Sequence, residues 1–124
     1  MIRRSFDPPR ALESGEVAVL RFLLSRPFTG HEELERQLPS VRVAEEECDG
    51  EILDLVVGPD VDPAPWTERV PSSAWGRDAD GEAIEVLIHV IDGYIAELEF
   101  VRYAPGPVLA SPSAESLKLS PNES

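Results

Sequence analysis

The sequence predicts an α+β fold: two N-terminal helices packed on a four- to five-stranded antiparallel sheet arranged as a meander. Three observations carry this. Leucines recur at helical spacing between Leu12 and Leu38. Apolar residues alternate or run together in short segments after Val41. Two Asp-Gly pairs, Asp49-Gly50 and Asp92-Gly93, supply the residues that two-residue hairpin turns require.

The first helix is read from Leu12, Val17, Leu20, Leu23 and Leu24, with Ser14 as its N-cap and Pro27 as its stop. The second runs through "GHEELERQL" to Leu38. Thr29 is the expected N-cap, because Glu32 falls three residues later as in a capping box. "VRVAEEE", Val41 to Glu47, reads as an edge strand whose acidic end discourages further pairing. "EILDLVV" follows the first Asp-Gly pair and places Leu53, Leu55 and Val57 on one side. A Pro/Asp-rich loop spans residues 58–65, and Ser72 to Arg77 can form a strand after Pro71. "AIEVLIHVI", Ala83 to Ile91, is apolar enough for a central strand covered on both faces. "YIAELEFVRY" then alternates, with Tyr94, Ala96, Leu98 and Phe100 on one side.

These elements divide the chain into a flexible lead over residues 1–10, a single α+β domain over 11–104, and a Pro/Ser-rich tail over 105–124. Residues 116–119 of that tail are suited to docking as a short strand.

The chain carries 24 acidic against 11 basic residues in 124, a formal charge of −13. That balance repels phosphate backbones and anionic lipid surfaces, so nucleic acid and membrane are not expected partners. It favours a protein partner with a basic surface. With one cysteine, Cys48, no internal disulfide can form, and "MIRRSFDPPR" is followed by no apolar secretory core, so a cytoplasmic location is expected.

No motif for phosphate binding, dinucleotide binding or an acyl-transfer nucleophile is found. Asp78-x-Asp80-Gly81 resembles part of a calcium loop. Aligning Gly81 with the invariant glycine, however, sets Gly76 and Leu87 at the first and last ligand positions, where neither offers a side-chain oxygen. Ala79-Asp80-Gly81 is therefore read as a hairpin turn. "HEELE" places His31 and Glu35 on one helical face, too few ligands for a zinc site, so no metal or other cofactor is expected. Cys48 lies among acids that raise a thiol's pKa and blunt its reactivity.

The remaining candidates for binding are Trp66, Trp75, His89, Glu97 and Glu99. Counting back from Asp92-Gly93 sets His89 opposite Ala96. That register assigns Glu97 and Glu99 to the sheet face away from His89. No catalytic residue is assigned. The expected role is a non-catalytic interaction or accessory domain. The alternative is a small-molecule binder or enzyme with a pocket between helices and sheet.

Several pieces together resemble a group of small uncharacterised actinobacterial α+β proteins. They are a helix ending in Leu23-Leu24, the step Phe28-Thr29-Gly30, the core Glu33-Leu34-Glu35-Arg36-Gln37, the Asp92-Gly93 hairpin and a terminal Ser116-Leu117-Lys118-Leu119. The resemblance covers Leu12 to Leu119 and implies two helices followed by antiparallel hairpins, with no activity attached.

Overall fold

The computed structural model describes residues 3–121. It has two α-helices and one seven-stranded sheet, every neighbouring pair of strands antiparallel. The elements are β1 (Arg3–Ala11), α1 (Ser14–Leu23), α2 (His31–Gln37), β2 (Val41–Glu47), β3 (Ile52–Val57), β4 (Ser72–Arg77), β5 (Ala83–Ile91), β6 (Tyr94–Arg102) and β7 (Lys118–Leu119), with short 3-10 turns before β2 and β7. The strand order is β1-β2-β3-β6-β5-β4-β7. The architecture is thus two antiparallel meanders, β1-β2-β3 and β4-β5-β6, joined where β3 pairs with β6, rather than the single four- to five-stranded meander expected.

The largest departure lies at the N-terminus. The expected flexible lead is strand β1, antiparallel to β2. Its arginines explain the pairing: Arg3 reaches Glu45 at 3.3 Å and Glu47 at 2.8 Å, while Arg10 holds Glu16 at 2.9 Å and Glu46 at 3.5 Å. The acids of "VRVAEEE" thus belong to an interior strand with a basic neighbour, not to a solvated edge. The guanidinium groups of Arg4 and Arg10 stand over the Phe6 ring, 5.2 and 5.1 Å from its centre.

Both helices cover one face of the sheet, α1 against β4 and β5 and α2 against β6. Leu20, Leu23, Leu24 and Leu34 are fully enclosed there with Val86, Ile88 and Leu98. Each such side chain contributes about 1.5–3 kcal/mol by leaving water. The caps differ from expectation by one residue. Glu13, not Ser14, precedes α1, its N–H donating to Glu16 at 2.8 Å. Gly30, not Thr29, precedes α2 at φ 93°, and a Cβ there would stand 2.8 Å from Cγ2 of Thr67, so only glycine fits.

Gln37, at the end of α2, is buried with its amide fully used. Its Nε2 donates to the carbonyls of Asp62 (3.1 Å) and Gly93 (2.8 Å), and its Oε1 accepts from the Ile95 N–H at 3.0 Å. The Asp92–Gly93 turn it grips has positive φ at both residues, 53° and 82°, as a type I′ turn needs. The β2–β3 connection is longer than the two-residue turn expected: Glu47 pairs with Ile52, and between them the Gly50 N–H returns to the Glu47 carbonyl and the Glu51 N–H to the Cys48 carbonyl, with Cys48, Asp49 and Gly50 all at positive φ.

In the tail Leu117 is buried, and β7 pairs with β4. Asp78 anchors it. The buried carboxylate accepts the N–H groups of Leu109 (2.9 Å), Ala110 (2.9 Å) and its own neighbour Ala79 (2.8 Å), together with Arg102 at 2.8 Å. Arg102 also grips Asp80 with two bonds of 2.9 and 2.8 Å. The Asp-x-Asp pair that resembles a calcium loop therefore holds a guanidinium at the corner of the expected β4–β5 hairpin.

No helix among the described residues is long and apolar enough to cross a membrane.

Candidate functional site

The sheet face turned away from the helices is where chemistry-bearing side chains collect. Two irregularities in pairing decide which ones. In β2 the register shifts between Val43 and Glu45, so that Val43 opposes Leu55 while Glu45 opposes Asp54. In β6 it shifts at Ala96, so that Val90 opposes Ile95 while His89 opposes Glu97. Each shift leaves one alanine, Ala44 or Ala96, without a partner, as in a β-bulge. The second overturns the expected register. Ile95 joins Leu98 and Phe100 on the buried face, and Glu97 and Glu99 come to the side of His89.

The result is a row of residues across five strands: Ser5, Glu45, Asp54, Glu97 and His89. A second row beside it holds Arg3, Glu47, Ile52, Glu99 and Leu87. Nε2 of His89 is 2.8 Å from Oε1 of Glu99 and 3.3 Å from Oε2 of Glu97. All three side chains are only partly exposed, at 14%, 28% and 23%. Arg69 completes the group from the β3–β4 connection. Its carbonyl accepts the Val90 N–H at 2.8 Å, and its Nε–H donates to Nδ1 of His89 at 3.2 Å. That bond requires a lone pair on Nδ1, so the imidazole proton sits on Nε2, facing the two carboxylates.

The carboxylates outnumber the cations. Burial, then the charges of Glu47 and Glu97, push the Asp54 carboxyl up to about 6. The hydrogen bond from Arg3 holds Glu47 below the ordinary carboxylate range. Arg3 thus serves the outer acids, and Asp54 lies beyond its main effect.

Toward the other end of the same face, Trp75 stacks on Tyr103 with ring centres 5.6 Å apart and planes at 28°. The Tyr103 hydroxyl donates to Glu85 at 2.6 Å, a bond that raises its pKa. Trp75 opposes Glu85 on β5, so this aromatic pair shares the face of Leu87 and His89.

Four of the five residues singled out from the sequence, Trp75, His89, Glu97 and Glu99, therefore share one surface. The fifth, Trp66, is exposed in the β3–β4 loop and lines a separate groove with Pro63, Pro65 and Thr67. Asp54, Glu45, Glu47, Arg69 and Tyr103 were not anticipated. Asp54 carried a readable sign, since it is the acid between Leu53 and Leu55 in an alternating strand. Arg69 lies in an irregular segment and carried none.

A hollow of about 420 Å³ opens on the opposite side of the sheet, between the start of α1 and the tail. Val19, Leu53 and Phe100 line it together with Arg10, which is already engaged by Glu16 and Glu46.

Comparison with protein-family models, with curated proteins and with solved structures finds no match for this chain.

Proposed function

We propose that the chain is a non-catalytic docking domain whose carboxylate-bearing sheet face receives a Lys/Arg-rich segment of a partner protein. The observation that supports this best is the side-by-side placement of Glu45, Asp54 and Glu97 on three adjacent strands, with Glu47 and Glu99 in the next row. Five carboxylates on a rigid sheet, facing few cations, make a negative field that steers a basic partner and fixes its register. The half-exposed Trp75 and the exposed Tyr103 beside them offer a flat aromatic surface on which a guanidinium can stack. Main-chain positions on a sheet interior hold these groups in place without the partner having to order them.

The test is binding of a defined peptide of alternating arginine and apolar residues, compared with a version in which glutamine replaces arginine. The arginine peptide is expected to bind, to weaken steeply with salt, and to lose at least ~10-fold in affinity to a Glu97→Gln/Glu99→Gln variant, as desolvated charge pairs do. Equal affinity for both peptides, or for both proteins, would remove the proposal.

A second reading places a small molecule in the hollow beneath α1, because its lining combines an apolar floor with one guanidinium and three carboxylates, Glu13, Glu16 and Glu46. Filling it with Gly15→Trp, at a lining position where a Cβ meets nothing within 4 Å, would abolish such binding and leave the peptide result unchanged.

A further inference from the structure

We infer that His89, Glu97 and Glu99 form a binding site for a divalent ion of the zinc class, held by Nε2 of the imidazole and one oxygen from each carboxylate, with the remaining coordination positions open to water. This does not depend on the docking reading.

The geometry carries it. The three ligand atoms lie within 4.8 Å of one another. Two donors bound tetrahedrally at about 2.1 Å from one zinc ion are about 3.4 Å apart. The observed Nε2–oxygen separations of 2.8 and 3.3 Å need only a small expansion to reach this. The ligands come from the middle of two paired strands, so the backbone that presents them is fixed by ladder hydrogen bonds.

The hydrogen bonding of the site is also incomplete. Two carboxylates converge on a single Nε2–H proton. Among the described residues no other hydrogen-bond donor reaches Glu97 or Glu99. One proton therefore serves two anions where a doubly charged ion would satisfy both. A nitrogen donor among two oxygens favours zinc, manganese or iron(II) over calcium, which takes six to eight oxygens.

Arg69 gives the inference a signed consequence. A metal on Nε2 requires the imidazole proton on Nδ1, and a protonated Nδ1 cannot accept from Arg69. The guanidinium must leave for the ion to bind, and its charge opposes the ion in any case. Arg69 is thus a positioning residue that holds the metal-free tautomer.

The experiment titrates zinc chloride into the chelator-stripped full chain and follows heat and the histidine ring signals by NMR. The chain has two histidines, so His31→Gln identifies the His89 resonances. The expected result is one zinc per chain with a shift confined to His89. Affinity should fall at least ~10-fold in His89→Gln and in Glu97→Gln/Glu99→Gln, rise severalfold in Arg69→Ala, and be far weaker for calcium. Absence of binding at ~0.1 mM zinc, an unmoved His89 ring, or equal binding by His89→Gln would each overturn the inference, the last by showing diffuse attraction to surface acids.

Discussion

His89 on β5 and Glu97 on β6 stand directly opposite each other, although a count from the Asp92–Gly93 turn sets His89 against Ala96. The unpaired Ala96 between Ile95 and Glu97 makes the difference. Deleting Ala96 should leave His89 opposite Glu97 and Ile88 opposite Leu98, so the variant is expected to unfold cooperatively at a modestly lower temperature. Inserting an alanine after Leu98 has the same size and the opposite effect. It would turn Phe100 out of the core and Glu99 into it, at a cost of more than ~3 kcal/mol. Thermal unfolding of the two variants decides the point, and a deletion as damaging as the insertion would contradict this register.

Asp54 is predicted to destabilise the fold at neutral pH. Its folded pKa, about 6, lies above the ordinary value of 3.8. The native state therefore holds the extra proton between these limits. The cost is absent below about pH 4, grows as pH rises through 4 to 6, and is complete above. Asp54→Asn should gain about 1–2 kcal/mol at pH 7 in chelator-containing buffer, after allowing for solvent screening, and nothing near pH 4. Urea titrations at the two pH values measure this.

Asp78 is expected to behave in the opposite sense. Burial alone would raise its pKa, but the N–H groups of Leu109, Ala110 and Ala79 and the Arg102 guanidinium outweigh burial and hold it well below the usual carboxylate range. Its contribution is fully present above the unfolded pKa and is lost only as pH falls through the lowered folded value. The tail should stay docked at pH 4 in the native chain. Asp78→Ala should free the segment around Leu109 and Ala110 to proteolysis at neutral pH and lower the melting temperature by ~5 °C or more. A tail as protected in the variant as in the native chain would refute the anchor.

Gly81 and Gly93 have nearly equal φ, 88° and 82°, and unequal surroundings. A Cβ at Gly81 meets nothing within 4 Å, whereas one at Gly93 would overlap the Ala64 carbonyl oxygen and stand 2.8 Å from Cβ of Pro63. Gly81→Ala should cost only the backbone penalty, about 1–2 kcal/mol. Gly93→Ala should cost at least ~3 kcal/mol, because the loop must also move. Comparing their denaturation midpoints separates strain from crowding.

The parts of this molecule that were legible in the sequence are those with a local signature. Leu20, Leu23 and Leu24 announce a helix by spacing, and Asp92-Gly93 announces a hairpin by the φ angles it tolerates. Strand β1 has no such signature: "RRSFDPPR" lacks alternation and contains two prolines, and what orders it is the charge of Glu45 and Glu47 some forty residues away. Ala96 is equally silent. Nothing local distinguishes a bulged alanine from a paired one, and the side chains that choose, Ile95 and Leu98 seeking the core together, act only once helices α1 and α2 are in place. That is why Trp75, His89, Glu97 and Glu99 could be picked out as residue types while their assembly on one surface could not.

Gln37 joins the two sides of the sheet mechanically. A single amide grips the Asp92–Gly93 corner and the Ile95 N–H, and the next residue along is the alanine that sets the aim of Glu97. The Gly93 carbonyl and the Ile95 N–H, both held by Gln37, tie the strand just before that alanine to the end of a helix lying behind the sheet. The aim of Glu97 on the acidic front thus depends on how α2 is seated on the reverse side.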